Sequence, residues 1–509
     1  MTEHSSIVLK VDHNSTYIEG RLQSSIYQGL KRELGYEPPN AKWMIQKSVA
    51  KKPWMKDWDG LISNLCYNKG KCKCFIKKNG MHFSSGLLGK AKEYFDATST
   101  PYSVVDIRIK EGKQLSLMMS DDFEPRDYQI DTIEKAVKQQ RGIIKAATGS
   151  GKTACAAGII ARIGKIPFIF YVPSIDLLLQ AQSELIRFIR HETGEAIEVG
   201  AIGAGRKDIK DISVMTIQTA VKALGGVWKK IDTDEEQKDD TTDIDDIRTE
   251  IKELVMSARG FILDEVQHAA SETVQIISDA SVSAQYRYGM SASPWRDLED
   301  DILIDACFGK CIVNISASHL IKRNFLVKPE IFFVPIDNTK GLSKLSYANV
   351  YKQAIVENTI RNTTIAKIAQ TMRDNGRIVL ILCKQINHGN ILEALMPGSI
   401  FIHGTHSSKI RKEHLNKMRN REASITIATS IFDEGIDVKP LDTLILAGSG
   451  KSSTRALQRV GRILRPYPGK QDALVVDFDD KCRYLKSHSM NRRRIYKTEP
   501  EFDIKRLEI

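Results

Sequence analysis

Residues 145–153 read KAATGSGKT, flanked by the apolar run Gly142–Ile144 and the helix-like stretch ACAAGIIARI. Gly149 and Gly151 let the backbone turn its N–H groups inward around a phosphate chain, Lys152 would reach the β- and γ-phosphates, and the Thr153 hydroxyl would hold Mg²⁺. The strict G-x-x-x-x-G-K-T pattern is broken at Ala146, and a glycine turn before an ordinary helix is the competing reading. Further on, FILDEVQH closes an apolar strand with Asp264 and Glu265. Two carboxylates at the carboxyl edge of a parallel sheet stand where such folds bind ligands. Asp264 would hold Mg²⁺, directly or through water, and Glu265 would polarise an attacking water. Acidic pairs at strand ends also serve as helix caps, but beside a phosphate loop the catalytic reading is the stronger. In QRVGRILR, Arg462 and Arg465 stand three apart and share a helix face. They would steady charge on a transferring phosphoryl group as arginine fingers; a solvated basic face is the alternative.

These groups need elements to hold them. From 121 to 325 short apolar runs alternate with helical periodicity: RGIIKAAT, PFIFYVP, ISVMTIQ, GFILDEV and YRYGMSAS. The alternation restarts in 326–490 with RIVLILC, SIFIHG, SITIATS, DTLILAG and DALVVDF. Alternating strands and helices predict parallel sheets with crossover helices, so two tandem α/β domains are expected. Residues 1–120 mix strand-like and helical pieces and read as a small α+β domain, while 491–509 read as a basic tail. IDTDEEQKDDTTDIDDIRTEI reads as a solvated acidic excursion centred on Asp232 to Asp246.

Composition narrows the partner. The chain has 75 Lys and Arg against 63 Asp and Glu, a formal net charge of +12. That surplus favours a polyanion such as nucleic acid. No apolar run is long enough to span a membrane, and the first residues do not form a secretory signal. Eight scattered cysteines suit a reducing compartment. The expected location is the cytoplasm, the host's if the chain is phage-encoded. Cys66, Cys72, Cys74 and His82 cluster in sequence, but C-x5-C-x-C-x7-H matches no common zinc pattern, and they are expected to be strand or turn residues.

In these motifs the chain resembles the superfamily 2 helicases and translocases, over about 123–480. PRDYQ is similar to the family's adenine-reading motif, which would make Gln129 the reader, with Arg126 nearby. AATGSGKT has the alanine-first form of motif I usual in that family, which accounts for Ala146 and implies nucleotide contacts from Thr148 to Thr153, Ser150 included. DEVQ resembles motif II and Ser291–Ser293 motif III. FIHGTHSS and TIATSIFDEGIDV resemble strand-contacting motifs, the latter implying nucleotide contacts from Gly435 and Asp437. QRVGRILR resembles motif VI, with Gln458, Arg459, Arg462 and Arg465. Where many relatives have histidine at the fourth position of motif II, this chain has Gln267, followed by His268. That position usually links hydrolysis to motif III, here through Ser291 or Ser293. WMKDWDGLI followed by GLLGKAKEYF resembles the N-terminal domain of phage UvsW-type helicases, which remodel branched recombination intermediates.

The resemblance implies two RecA-like domains, ATP and Mg²⁺ as cofactors, and DNA as partner: branched or forked, with a single-stranded tracking strand. The expected protein is a monomeric, nucleic-acid-dependent ATPase that unwinds or branch-migrates DNA in recombination, repair or replication. Trp54 and Trp58, interleaved with Lys51, Lys52 and Lys56, would meet exposed bases and flanking phosphates. An RNA helicase is the first alternative. A restriction-nuclease motor is the second, against which stands the lack of a nuclease motif or of room for one after motif VI. A binder with a dead ATP site is the third, against which stand the intact Lys152, Asp264, Glu265, Arg462 and Arg465.

Overall fold

The computed structural model describes residues 6–37, 61–67, 81–226, 248–268, 271–294, 301–337, 342, 344–429, 438–448, 450 and 453–507. Trp54, Trp58 and their lysines, Cys72, Cys74, the acidic stretch 232–246, Gly435 and Asp437 lie outside the described residues. Packing divides the chain into two compact units, Met1–Ala146 with Gly151–Asn314, and Ala147–Ser150 with Ile315–Ile509.

The larger sheet of the first unit runs in the order 206–207, 199–203, 212–216, 168–172, 260–264, 286–291, 141–146, 311–315. The six strands from 199–203 through 141–146 are parallel. Covered by helices on both faces, the central strands are buried along their whole length, as in Phe168–Val172 and Ile212–Thr216. That is why they read as unbroken apolar runs rather than as alternation. Tyr171, Phe261 and Phe308 pack edge to face in the core beneath, with ring centroids 5.8 and 5.9 Å apart.

A second sheet in this unit has the order 66–67, 81–84, 15–19, 7–11, 102–106. Ile7–Val11 alternates buried and part-exposed residues, the mark of a half-buried strand. Leu9, Leu30, Phe83, Ala91 and Phe95 form its core, and that core also takes in Ile302 and Ala306. The helix Ile302–Phe308 is therefore shared between the first 120 residues and the larger sheet. Gly86 makes a close approach there, since a Cβ on it would lie 2.3 Å from the Asp305 carbonyl oxygen. Polar contacts finish the joint. The Arg287 guanidinium is fully buried and donates to the carbonyls of Ser278, Ser281 and Ala284 and to Asn14 Oδ1. Arg141 donates to the His13 carbonyl, and Asn14 Nδ2 to the Asp279 carbonyl at 2.7 Å. Arg141 and Arg287 are register partners at the starting edge of neighbouring parallel strands.

Among the described residues the second unit carries seven strands, all parallel, in the order 400–402, 425–428, 379–382, 443–445, 473–480, 329–336, 503–506. The residues after 490, expected as a basic tail, are built into this sheet. The helix Leu485–Tyr496 packs Arg492 onto Asp477 through two hydrogen bonds of 2.8 and 2.7 Å, and Tyr496 donates to the same carboxylate at 3.2 Å. Asp503–Arg506 then pairs alongside Pro329–Ile336. The charges of the expected basic tail are in part buried and paired. No helix among the described residues is long and apolar enough to cross a membrane.

Candidate nucleotide site

Strand order explains how distant motifs meet. The strand Tyr286–Ser291 lies between Gly260–Asp264 and Arg141–Ala146, with Met290 beside Asp264 and Ser291 beside Lys145. Asp264, Ser291 and the phosphate-loop strand thus end together on one edge of the sheet.

Beyond Ala146 the chain turns into the helix Lys152–Ile163. Gly149 and Gly151 both sit at left-handed φ, +86° and +80°. At Gly151 any side chain would also strike Gln129, whose Nε2 lies 2.4 Å from an added Cβ. Gln129 is itself locked, accepting at Oε1 from the Arg126 N–H at 2.9 Å, while the Arg126 guanidinium donates to Tyr128 at 2.9 Å. The motif residues Arg126 and Gln129 are thereby placed against the loop. Lys152 and Thr153 open a helix of 12 residues whose free N–H groups and dipole suit an anion.

Lys152 Nζ lies 3.6 Å from Glu265 Oε1. Glu265 adopts φ +47°, a conformation costly for a residue with a side chain, so the fold holds it there against strain. Its N–H donates to Asp264 Oδ1 at 3.0 Å. Asp264 is pushed well above the usual carboxylate range, first by burial and then by the Glu265 charge, with Lys152 pulling it back. Two carboxylates and one ammonium leave excess negative charge in a half-buried setting. With the Thr153 hydroxyl, that set of hard oxygen donors fits Mg²⁺.

Gln267 occupies the position that departs from the usual motif. Its Nε2 donates to Glu265 Oε2 at 2.8 Å, and its Oε1 accepts from the Ser291 hydroxyl. Ser291 also lies 3.3 Å from Glu265 Oε2 and accepts from the Ser293 N–H at 2.9 Å. Ser293 Oγ is buried with no hydrogen-bond partner among the described residues. The connection from motif II to motif III therefore runs through Ser291.

In the second unit, Gln458 and Arg462 lie on the helix Ser453–Ile463, and Arg465 follows its end. Gln458 is buried and Arg462 part-buried. Sequence reasoning passed over Lys470, which sits beneath that helix end. Among the described residues no group of three or more His, Cys, Asp or Glu is arranged to hold a metal by itself.

Residues 122–296 match the family described as Type III restriction enzyme, res subunit, and residues 361–467 match the helicase conserved C-terminal domain. The DNA 3'-5' translocase XPB2 of Sulfurisphaera tokodaii is 25% identical over 434 residues, covering 76% of this chain and 89% of that protein. The ATP-dependent DNA helicase uvsW of Enterobacteria phage T4 is 24% identical over 473 residues, covering 86% of this chain and 85% of that protein. Among solved structures, the Type ISP restriction-modification enzyme LlaBIII bound to DNA superposes with a TM-score of 0.51 at 16% identity, over 76% of this chain and 31% of that one, a likeness of fold. The two motor modules, in this order, make the chain a superfamily 2 helicase, a nucleic-acid-dependent ATPase. Within that class it resembles the UvsW-type helicases of bacteriophages.

Proposed function

We propose that the chain is an ATP-driven DNA motor that unwinds and branch-migrates forked and recombination-intermediate DNA. The observation that supports this reading is the reach of the uvsW match, 86% of the chain against 76% for the XPB2 match. A match over 86% of the chain is longer than the stretch from residue 121 onward, so it takes in part of the first 120 residues.

The inward N–H groups of the Gly149–Gly151 turn and the Lys152 ammonium would hold the phosphates of ATP. Bound Mg²⁺, held by Thr153 and Asp264, would offset charge on the β- and γ-phosphates. Glu265, held by Gln267 and Ser291, would orient and polarise the attacking water. Arg462 and Arg465 would supply positive charge to the transferring phosphoryl group. Gln129, with Arg126, would read the adenine, and Gly435 and Asp437 would touch the nucleotide. The Gln267–Ser291 bond gives hydrolysis a mechanical outlet, because Ser291 belongs to a different strand from Glu265.

The test is ATP hydrolysis and strand separation by the full chain on single-stranded, forked, four-way and RNA substrates. Forked and four-way DNA are expected to stimulate most, and Trp54→Ala with Trp58→Ala to erase that preference while single-stranded stimulation remains. Equal or greater stimulation by RNA would overturn the DNA assignment. A motor preferring linear DNA would overturn the junction assignment alone.

A further inference from the structure

We infer that Lys470 is the positioning residue of motif VI, clamping the end of the arginine-bearing helix so that Arg465 leaves from a fixed backbone. The inference rests on Arg465 serving ATP hydrolysis, as proposed above.

The geometry is a lysine used as a hub for carbonyls. Lys470 Nζ donates to Ile463 O at 2.5 Å, Leu441 O at 2.6 Å and Arg465 O at 3.0 Å, with Lys439 O at 3.4 Å. The Ile463 carbonyl ends the helix Ser453–Ile463, where the last C=O groups have no intrahelical partner and the dipole favours a cation, and the Arg465 carbonyl lies two residues past that end. The other two belong to the segment leading into the strand Thr443–Ile445. The intervening Leu464 carbonyl is taken by the Val327 N–H at 2.8 Å. Three successive carbonyls, 463 to 465, are thereby pinned. Lys470 itself is aimed by a tight turn, its N–H on the Tyr467 carbonyl at 2.9 Å and Gly469 at φ +81°.

Burial pulls the Lys470 ammonium down from 10.5 to about 8; Asp442 and Asp472 oppose the shift, and Arg377 and Arg465 add to it. A neutral amine has one donor fewer for the same carbonyls, so the clamp loosens as pH rises through that value. Stability moves the other way. Below about pH 8 the ammonium is charged in both folded and unfolded chain, and between 8 and 10.5 the folded chain sheds its proton first. The unfolded state then binds more protons, and the group's contribution to folding stability rises with pH. This group's own effect on folding therefore does not account for a loss of turnover in that window.

The measurements are kcat, KM for ATP and melting temperature for the full chain with saturating single-stranded DNA, in wild type, Lys470→Met, Arg465→Ala and the double variant. Lys470→Met is expected to lower kcat by about 10²-fold, the usual consequence of small misplacement of a reacting group, with KM little changed. In the Arg465→Ala background it should cost almost nothing further, because both act through one group. In wild type, kcat should fall as pH rises from 7.5 to 9.5 while the melting temperature holds, a measurement needing no variant. Full kcat in Lys470→Met, an equal loss in the Arg465→Ala background, or a wild-type kcat level across that range overturns the clamp. Normal turnover in Arg465→Ala overturns the finger reading instead.

Discussion

At the scale of single residues the site turns on how Glu265 is held. Its carboxylate faces Lys152, and the Gln267 amide bridges it to Ser291. Glu265→Gln should bind ATP yet lose turnover, since an amide cannot polarise water as a carboxylate does; nucleotide-binding and phosphate-release assays check it. Gln267→Ala removes a hydrogen bond to a charged group, worth ~1.5–3 kcal/mol, so turnover should fall by about 10- to 10²-fold. Unwinding should fall further than hydrolysis, because the route to Ser291 is cut; the ratio of base pairs opened to ATP consumed measures this. The cluster of Lys152, Asp264 and Glu265 was legible as a candidate site because phosphate chemistry would demand those types after a glycine turn and an apolar strand. Lys470 was not. Its partners are main-chain carbonyls, which leave no trace in residue identity.

Among the elements, the strands that read clearly are those buried on both faces, such as Phe168–Val172 and Gly260–Asp264. Those passed over carry misleading residues. Val199–Gly203 contains two glycines, Pro329–Ile336 two prolines, and Asp503–Arg506 is entirely polar but for Ile504. The end of the helix Leu485–Tyr496 falls in the stretch 491–509 that reads as a basic tail, because the partner of Arg492, Asp477, is supplied by another element. Both groups of that pair are almost wholly removed from solvent, at 4% and 0% exposure. Asp477→Ala would strand the Arg492 guanidinium and leave Tyr496 without its acceptor. The expected loss is ~3–5 kcal/mol, read as a lower denaturant midpoint. An unchanged midpoint would mean that the end of the chain adds nothing to the second unit.

For the first unit as a whole, the governing feature is the shared core between the N-terminal sheet and the helix Ile302–Phe308. The mix of strand-like and helical pieces in residues 1–120 reads as a small α+β domain, and nothing in it points to Arg141 and Arg287 as what joins it to the motor sheet. His13, at the same junction, is held down to about 4, mainly by burial and then by the Arg287 charge. Its Nε2 lies 3.1 Å from the Ile109 carbonyl. The unfolded chain takes up this proton near pH 6.5 and the folded chain resists until about 4. Stability should therefore fall as pH drops through that window, by up to about 2–3 kcal/mol from this group. His13→Gln should flatten that slope in melting temperature against pH.

The strand Tyr286–Ser291 grips the N-terminal sheet through Arg287 at its start and touches Glu265 through Ser291 at its end. Those residues are four apart on an extended chain, about 13 Å of stiff backbone. This makes the first 120 residues a poor cassette. A chimera that exchanges them for an unrelated head leaves two interior guanidinium groups facing a surface never shaped to receive them. The misfit would sit at one end of the very rod whose other end meets Glu265 and Gln267. Any graft of new substrate specificity onto this motor has to carry Asn14, the His13 carbonyl and the seat for Ile302 along with it.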